Sequence, residues 1–357
     1  MATYLVLFCS IVLLGNPIQQ LSINKSKSDR RILLFIVIVL LVVFAGLRGV
    51  GADYGNYTRL YHNLKIQSLG TLWQSVITFD EPGLKIICIL ARVIYDDPTT
   101  MFFICSFLSI TPCVILISKE NVNFCFAITL YFLLVWNGTF GAIRQYLAGA
   151  MIFCAYPYLR EKKFWKYCVF IILGATFHIT ALIMIPVYFL VANKVSWKRT
   201  LLIVVVSFIL RYSYDFLFSL LGAVKDKTFG NYAYFTTEVN ILRILVAFAP
   251  IVLFLLIPQK RRTDKNLKQS ELNNLDLAIN IILMNAAFMF ATAGSAYLAR
   301  VGIYTSIFFP LVIPEITKQF DKGTKSIIIP IMVVCYLLYF IYGVYAQNLQ
   351  YIFFFQR

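Results

Sequence analysis

The sequence predicts an all-α, polytopic integral membrane protein: one helical domain over residues 1–357, with about twelve membrane-crossing helices. Three observations lead there. First, 60% of the residues are hydrophobic and only 13% are charged, more apolar surface than a water-soluble core can hide. Second, apolar runs of roughly 17–25 residues, the length that crosses a bilayer, recur from one end of the chain to the other. Third, 20 of the 32 Lys and Arg residues fall in short loops between those runs. The positive-inside rule makes such loops cytoplasmic, so the net charge of +16 reads as a membrane-orientation signal and not as a nucleic-acid surface.

The first run, from Ala2 to about residue 18, has neither a basic leader nor an Ala-x-Ala-like cleavage site and reads as a retained span. With the basic loop Gln20–Arg31 inside, a second span at about 31–47 ends outside, on the stretch FAGLRGVGADYGNYTRLYH (Phe44–His62). The run in EPGLKIICILARVIYDDP (Glu81–Pro98) has an apolar core of only about twelve residues and contains Arg92. That is short for a crossing, so residues 48–96 read as an outer-face loop with an interfacial helix. Spans at about 99–118, 122–140 and 142–159 follow, with Lys119 and REKKFWK inside and NGTFGAIRQ outside. The run Phe164–Leu190 has basic loops at both ends, so it enters and returns as two short helices with a turn near GATFH. Further spans are expected at about 199–221, 240–258, 276–293, 297–316 and 326–346, with KRRTDKNLK (260–268) inside. The eight cysteines lie in apolar segments without a C-x-x-C pair, and His62 and His178 are the only histidines. A structural zinc or iron–sulfur site is therefore not expected.

This layout brings Arg48, Asp53, Arg144, His178, Arg243 and Arg300 to the outer ends of spans. Ionisable groups at membrane level are costly, so several at one level mark a site. Four arginines without a matching set of carboxylates favour an anionic ligand, because guanidinium binds phosphate through two parallel hydrogen bonds. Gly49, Gly51 and Gly55 would let backbone N–H groups approach such a ligand. Their spacing matches neither a P-loop nor a dinucleotide fingerprint.

Each residue also has a plain structural reading. Arg48, Arg243 and Arg300 fit headgroup anchors, and Arg144 fits a packing role on a small-residue helix face. Asp53 fits a helix cap, His178 a core histidine, and Arg211 with Asp215 an internal pair. Tyr54, Tyr57, Tyr61, Tyr232, Tyr234 and Phe235 fit an interfacial aromatic belt. What favours a site is the agreement of the charged set on one face.

Six stretches carry a resemblance: GLRGVGADYGNY, DEPGLKII, GAIRQYLAGA, ATFHITALIMIP, NILRILVAFAP and YLARVGIYTSIFFPLVIP. In that order, from Leu47 to about Pro314, the chain resembles the EpsG-type, Wzy-like polysaccharide polymerases of bacteria. The first, third and fourth stretches are the more specific. The C-terminal QNLQYIFFFQR lacks the polar, proline-containing ending the resemblance leads one to expect. The resemblance implies a GT-C-like glycosyltransferase of the bacterial inner membrane, with its active site facing the periplasm or exterior. Such an enzyme joins polyprenyl-diphosphate-linked oligosaccharide repeat units into capsule, O-antigen or exopolysaccharide. Implied partners are the lipid-linked glycans, the bilayer, a flippase and a chain-length regulator.

In that chemistry the bond from sugar C1 to the diphosphate breaks while an acceptor hydroxyl attacks. Fixed arginines can stabilise the leaving group without a metal; Arg48, Arg144 and Arg300 are the expected diphosphate ligands, with Arg243 as a further one. No D-x-D motif lies in an outward loop, so neither metal nor cofactor is expected. His178 is the first candidate for the proton acceptor, since imidazole suits that task near neutral pH. Asp53 is the second and Glu81 a third. Tyr54, Tyr57, Glu81 and Gln145 are expected to meet the sugars. Two rivals use the same lipid. A ligase would favour a long outer loop, and a lipid-linked oligosaccharide transporter would carry charges through the depth of the bundle.

Overall fold

A computed structural model describes residues 1–23, 27–64, 81–213, 238–258 and 269–356. Among the described residues the regular structure is helical, and the one extended pairing is an isolated antiparallel bridge between Arg48 and Phe353. Helices are what lipid demands, because every backbone N–H and C=O must be paired within the segment itself. Part of the expected span 199–221, Asp215, the aromatics Tyr232, Tyr234 and Phe235, and the basic loop 260–268 lie outside the described residues.

The order begins with α1 (Ala2–Ile23), α2 (Lys27–Gly46), α3 (Tyr54–Asn63) and α4 (Pro82–Ile94). It continues with α5 (Pro98–Lys119), α6 (Phe124–Leu134), α7 (Ile143–Cys154), α8 (Tyr156–Arg160), α9 (Phe164–Ala175) and α10 (Met184–Val191). The remainder are α11 (Trp197–Tyr212), α12 (Ile241–Leu255), α13 (Gln269–Ala291), α14 (Ile303–Ser306), α15 (Phe309–Thr317) and α16 (Lys322–Ala346). Several starts are written in the sequence. Asp97, Asn123, Asn240 and Asp321 each accept a hydrogen bond from a backbone N–H of the helix that follows, and Pro82 and Pro98 occupy first-turn positions where their missing N–H does no harm.

The expectation of about twelve full crossings meets a shorter count. Four described helices are long and apolar enough to cross: Ala2–Leu21, Pro98–Lys119, Asn273–Ala291 and Lys322–Ala346. A fifth appears if Leu298–Ser306 and Phe309–Thr317, bent by 53°, count as one span. Other runs break where the sequence reading had drawn them continuous. The run 122–140 leaves the α-helix after Leu134 and tightens into a 3₁₀ turn at Trp136–Phe140. The run 142–159 breaks at Ala155, just before Pro157. The run 164–190 does enter and return: α9 ends at Ala175, His178 is extended, and a 3₁₀ turn (Ile179–Ile183) leads into α10. Its two arms pack through Tyr167 and Tyr188, and the Tyr167 hydroxyl donates to Met184 O at 2.8 Å.

Helix α4 has 13 residues, about 20 Å of helix against a hydrocarbon core of about 30 Å, too short to span upright. It buries Leu84, Ile87, Cys88 and Ala91 and exposes Ile86, Leu90, Val93 and Ile94, as an interfacial helix should. The main core is aromatic. Trp136 stacks on Phe132 and meets Tyr4 and Phe140, and its indole N–H donates to Leu41 O at 3.0 Å.

The loops segregate to two ends of the bundle. At one end Arg160 pairs with Glu120, Lys318 reaches Asn121 O and Glu315, and Arg30 reaches Ser118 O. The other end gathers Arg48, Asp53, Glu81, Arg144, His178, Arg243 and Arg300. There the C-terminal segment folds across as a strap. Gly49 N–H donates to Ile352 O at 2.8 Å, Phe354 N–H to Leu47 O at 3.0 Å, and the Tyr351 hydroxyl to Phe44 O at 2.8 Å.

Candidate active site

The first cluster is built by a close approach of α4 to the turn between the arms of the 164–191 hairpin. Gly83 N–H donates to Thr176 O at 2.9 Å, and a Cβ on Gly83 would lie 2.7 Å from the Phe177 ring, so only glycine fits. Two residues earlier Glu81 turns the chain with φ of 48°, a left-handed conformation uncommon outside glycine. This aims its carboxylate at two partners. Oε1 accepts from His178 Nδ1 at 2.6 Å, and Oε2 pairs with the Arg144 guanidinium.

With Nδ1–H facing a carboxylate, Nε2 of His178 is left as an acceptor, and the Gln145 amide nitrogen lies 3.3 Å from it. Gln145 is 8% exposed, and its Oε1 has no hydrogen-bond partner. The Arg144 backbone N–H and Nε both point at the Tyr57 hydroxyl, 3.4 Å away, while the guanidinium side chain stays 38% exposed. Burial raises the Glu81 carboxyl, but the hydrogen bond from His178 and the charge of Arg144 outweigh it and hold the group below its ordinary range. Glu81 is therefore a fixed negative charge beside the imidazole. Tyr304 of α14 adds a hydroxyl, 2.7 Å from Thr180 Oγ1.

Beside this cluster lies a cavity of about 480 Å³, bordered by Asp53, Asn137, Tyr146, Arg243, Asn285 and Arg300 among others. The Arg243 guanidinium donates to Ala299 O at 2.9 Å, and among the described residues no carboxylate lies within ion-pair distance of it. Arg300 stands 3.7 Å from Asp53, a loose pair with both side chains partly exposed. Two guanidinium groups against one carboxylate leave the cavity net positive, which suits an anion. Asp53 occupies the cap position of α3 but makes no side-chain cap bond; its carboxylate is turned to Arg300 instead. One turn along α3, Tyr57 reaches Arg144, so α3 and the start of α7 tie the cavity to the Glu81–His178 cluster.

Three expectations are corrected here. Arg48, expected at the diphosphate, is 1% exposed. Its guanidinium lies over the Phe102 and Phe140 rings at 5.1 and 4.8 Å and donates to Ala45 O, Ser106 Oγ and Thr139 O. It holds the strap end of the bundle together and is not among the residues that line the 480 Å³ cavity described above. Second, Gly49 spends its N–H on the strap, and Gly51, at φ of 154° with the Phe140 carbonyl oxygen 2.4 Å from where a Cβ would stand, serves a tight backbone approach. Third, Tyr54 and Tyr57, expected to meet the sugars, are each only 6% exposed: Tyr54 stacks on Phe102 and Tyr57 serves Arg144.

Arg48→Lys should therefore act on folding. A point charge cannot keep three acceptors and two ring faces together, and we expect a lower melting temperature and less folded protein. The activity remaining per folded molecule should fall far less, as measured by melting in detergent and by rate per folded molecule.

The sequence reading set Glu81 among the sugar contacts and third among the proton acceptors, and missed its place as the partner of both His178 and Arg144. Its one signal was position: a carboxylate just before Pro82 and Gly83, in a chain that carries only two histidines. Among the described residues no group of three or more His, Cys, Asp or Glu side chains is arranged to hold a metal ion. A family model described as the EpsG family matches residues 31–356. No curated protein and no solved structure matches the chain.

Proposed function

The chain belongs to the EpsG family of membrane proteins of polysaccharide biosynthesis, and on that premise we propose that it is a GT-C-like polymerase of lipid-linked glycan repeat units. The observation that carries this reading is the pairing of two unlike centres at one end of the bundle. One is a net-positive cavity with Arg243 and Arg300, and the other a carboxylate–imidazole pair, Glu81–His178, flanked by Arg144 and Gln145.

A glycosyl transfer needs both. The donor's diphosphate sits at Arg243 and Arg300, and Arg300 exchanges its loose contact with Asp53 for the phosphate. As the bond from sugar C1 to phosphate oxygen breaks, its electron pair goes to the diphosphate, whose growing charge the arginines stabilise. The acceptor hydroxyl attacks C1 and passes its proton to His178 Nε2, once Gln145 has yielded that lone pair. Glu81 holds the ring in the required tautomer and stabilises the imidazolium that forms, and Arg144 keeps Glu81 in place. Asp53, freed by the donor, is the alternative proton acceptor. Gln145, with an unpartnered Oε1, orients an acceptor sugar hydroxyl.

The site works on the outer side of the bacterial inner membrane, where flipped donors reside, alongside a flippase and a chain-length regulator. Cysteine placed at the exposed Asn56 should react with a membrane-impermeant thiol reagent in spheroplasts, and cysteine at Lys162 should not; the reverse pattern would overturn the orientation. No step above needs a metal, so extension should persist in excess EDTA. Activity lost to chelator and restored by Mg²⁺ or Mn²⁺ would refute that.

Deletion separates this reading from its rivals. Loss of a polymerase accumulates single repeat units on the lipid in the outer leaflet. Loss of a ligase accumulates lipid-linked polymer, and loss of a transporter traps single units in the inner leaflet.

A further inference from the structure

Between α12 and α16 the bundle carries an apolar groove of about 670 Å³, whose walls include Leu242, Leu245, Ala249, Leu256, Ile328 and Leu338. The first turn of α12 meets the last turns of α16, where Asn240 Nδ2 donates to the Tyr342 hydroxyl at 2.8 Å. The helices therefore run antiparallel, and below that tie they frame the groove between them. Its lining runs from Leu242 to Leu256 on one side and from Tyr342 back to Ile328 on the other. At a rise of 1.5 Å per residue each wall is about 21 Å long.

The groove shares its upper end with the cavity, since Val246 and Tyr339 border both, and Arg243 lies on the first turn of the same α12. An anion site and an apolar trough thus have a common wall. That is the form of a site for one amphiphile, with its head in the cavity and its chain in the trough. The length of the trough argues for the kind of chain. One acyl chain of a bilayer phospholipid covers half the hydrocarbon core, about 15 Å, and a helix tilt of about 20° shortens a 21 Å wall only slightly. The groove passes the midplane that an ordinary phospholipid chain reaches.

We propose that the α12–α16 groove seats the long isoprenoid chain of the donor whose diphosphate sits at Arg243 and Arg300. This rests on the donor reading given above and adds where the lipid lies and why its length matters.

Cys335 is a native reporter, because it is a free, exposed thiol on the groove wall seven residues, about 10 Å, below Tyr342. In purified full-length protein with the exposed Cys9 replaced by serine, N-ethylmaleimide should alkylate Cys335. Undecaprenyl diphosphate should slow this about tenfold or more, as expected for an occluding chain held by several buried methylenes. Dimethylallyl diphosphate, with the same head and one isoprene unit, should bind in calorimetry yet leave Cys335 reactive, and phosphatidylglycerol should also leave it reactive. Ala249→Trp, which fills the trough from a partly exposed position, should remove the protection by the long lipid while dimethylallyl diphosphate still binds.

Equal protection by phosphatidylglycerol would mean an ordinary lipid-facing surface and would overturn the proposal. So would a long lipid that binds without protecting Cys335, although the head site would then stand. If neither diphosphate binds, the donor site fails first and the groove with it.

Discussion

Glu81→Gln is expected to cut glycan extension by about 10²–10⁴-fold, the range over which a general base contributes. The carboxylate at His178 Nδ1 enforces the tautomer whose Nε2 is free to take a proton. An amide at that place can donate instead, turning the ring so that Nε2 carries hydrogen and cannot accept, a change that costs about 10⁴-fold where the same arrangement serves other enzymes. His178→Gln should lose a similar factor, and the double variant little more than the worse single one, because the two side chains act as a unit. Binding of the donor lipid should fall much less than the rate in His178→Gln. A His178→Gln protein that is abundant and still makes long polymer would remove histidine from the mechanism and promote Asp53.

The pH dependence has a sign. The folded-state carboxyl of Glu81 lies below its ordinary value of 4.5, so its contribution is complete above that value and is lost as pH falls through the lowered one. Any change in rate between about pH 6 and pH 8 must come from another group.

Arg243 and Arg300 give the second large effect. A hydrogen bond to a charged group contributes about 1.5–3 kcal/mol, roughly ten- to hundredfold in affinity. Arg300→Gln should weaken donor binding by about that much, and Arg243→Gln by at least as much, since no carboxylate among the described residues competes for its charge. Stability should move differently in the two. A half-buried cation without a carboxylate partner among the described residues is costly to the fold, so Arg243→Met should leave the melting temperature of the ligand-free protein undiminished while donor affinity collapses. A variant that melts lower and still binds donor would make Arg243 a packing residue. Calorimetry with the diphosphate lipid and a melting curve on the same preparation decide between the two.

Much of this was legible in the sequence because lipid imposes simple rules. Basic loops bounding Phe164–Leu190 force an entering and returning hairpin, and the ten residues between Lys85 and Asp96, Arg92 among them, are too few to span. Asp53, His178, Arg243 and Arg300 could be set at one end for the same reason.

What stayed hidden depends on contacts distant in the chain. An arginine after an apolar run looks alike whether it reaches for headgroups or, like Arg48, turns inward between Phe102 and Phe140. The role of Glu81 depends on a left-handed turn and on Gly83 fitting under Phe177, neither of which leaves a periodic trace. The helix breaks at Val135 and Ala155 have local marks, Asn137-Gly138 and Pro157, but the apolar residues on either side make each run read as continuous. The strap lay outside the motifs that carried the resemblance, yet it pairs with Gly49 and Leu47 and closes the end of the bundle where the site lies.

The central claim is that this chain alone joins lipid-linked repeat units. The most direct measurement supplies the purified full-length protein, in lipid vesicles, with undecaprenyl-diphosphate-linked repeat units and no other enzyme, and follows product length with time. The account predicts a ladder of products each one repeat unit longer than the last, with released undecaprenyl diphosphate in equal number to the linkages formed, and a ladder about 10²–10⁴-fold slower from Glu81→Gln. Wild-type protein that binds the lipid and moves it between leaflets while every glycan remains one repeat unit long would contradict it.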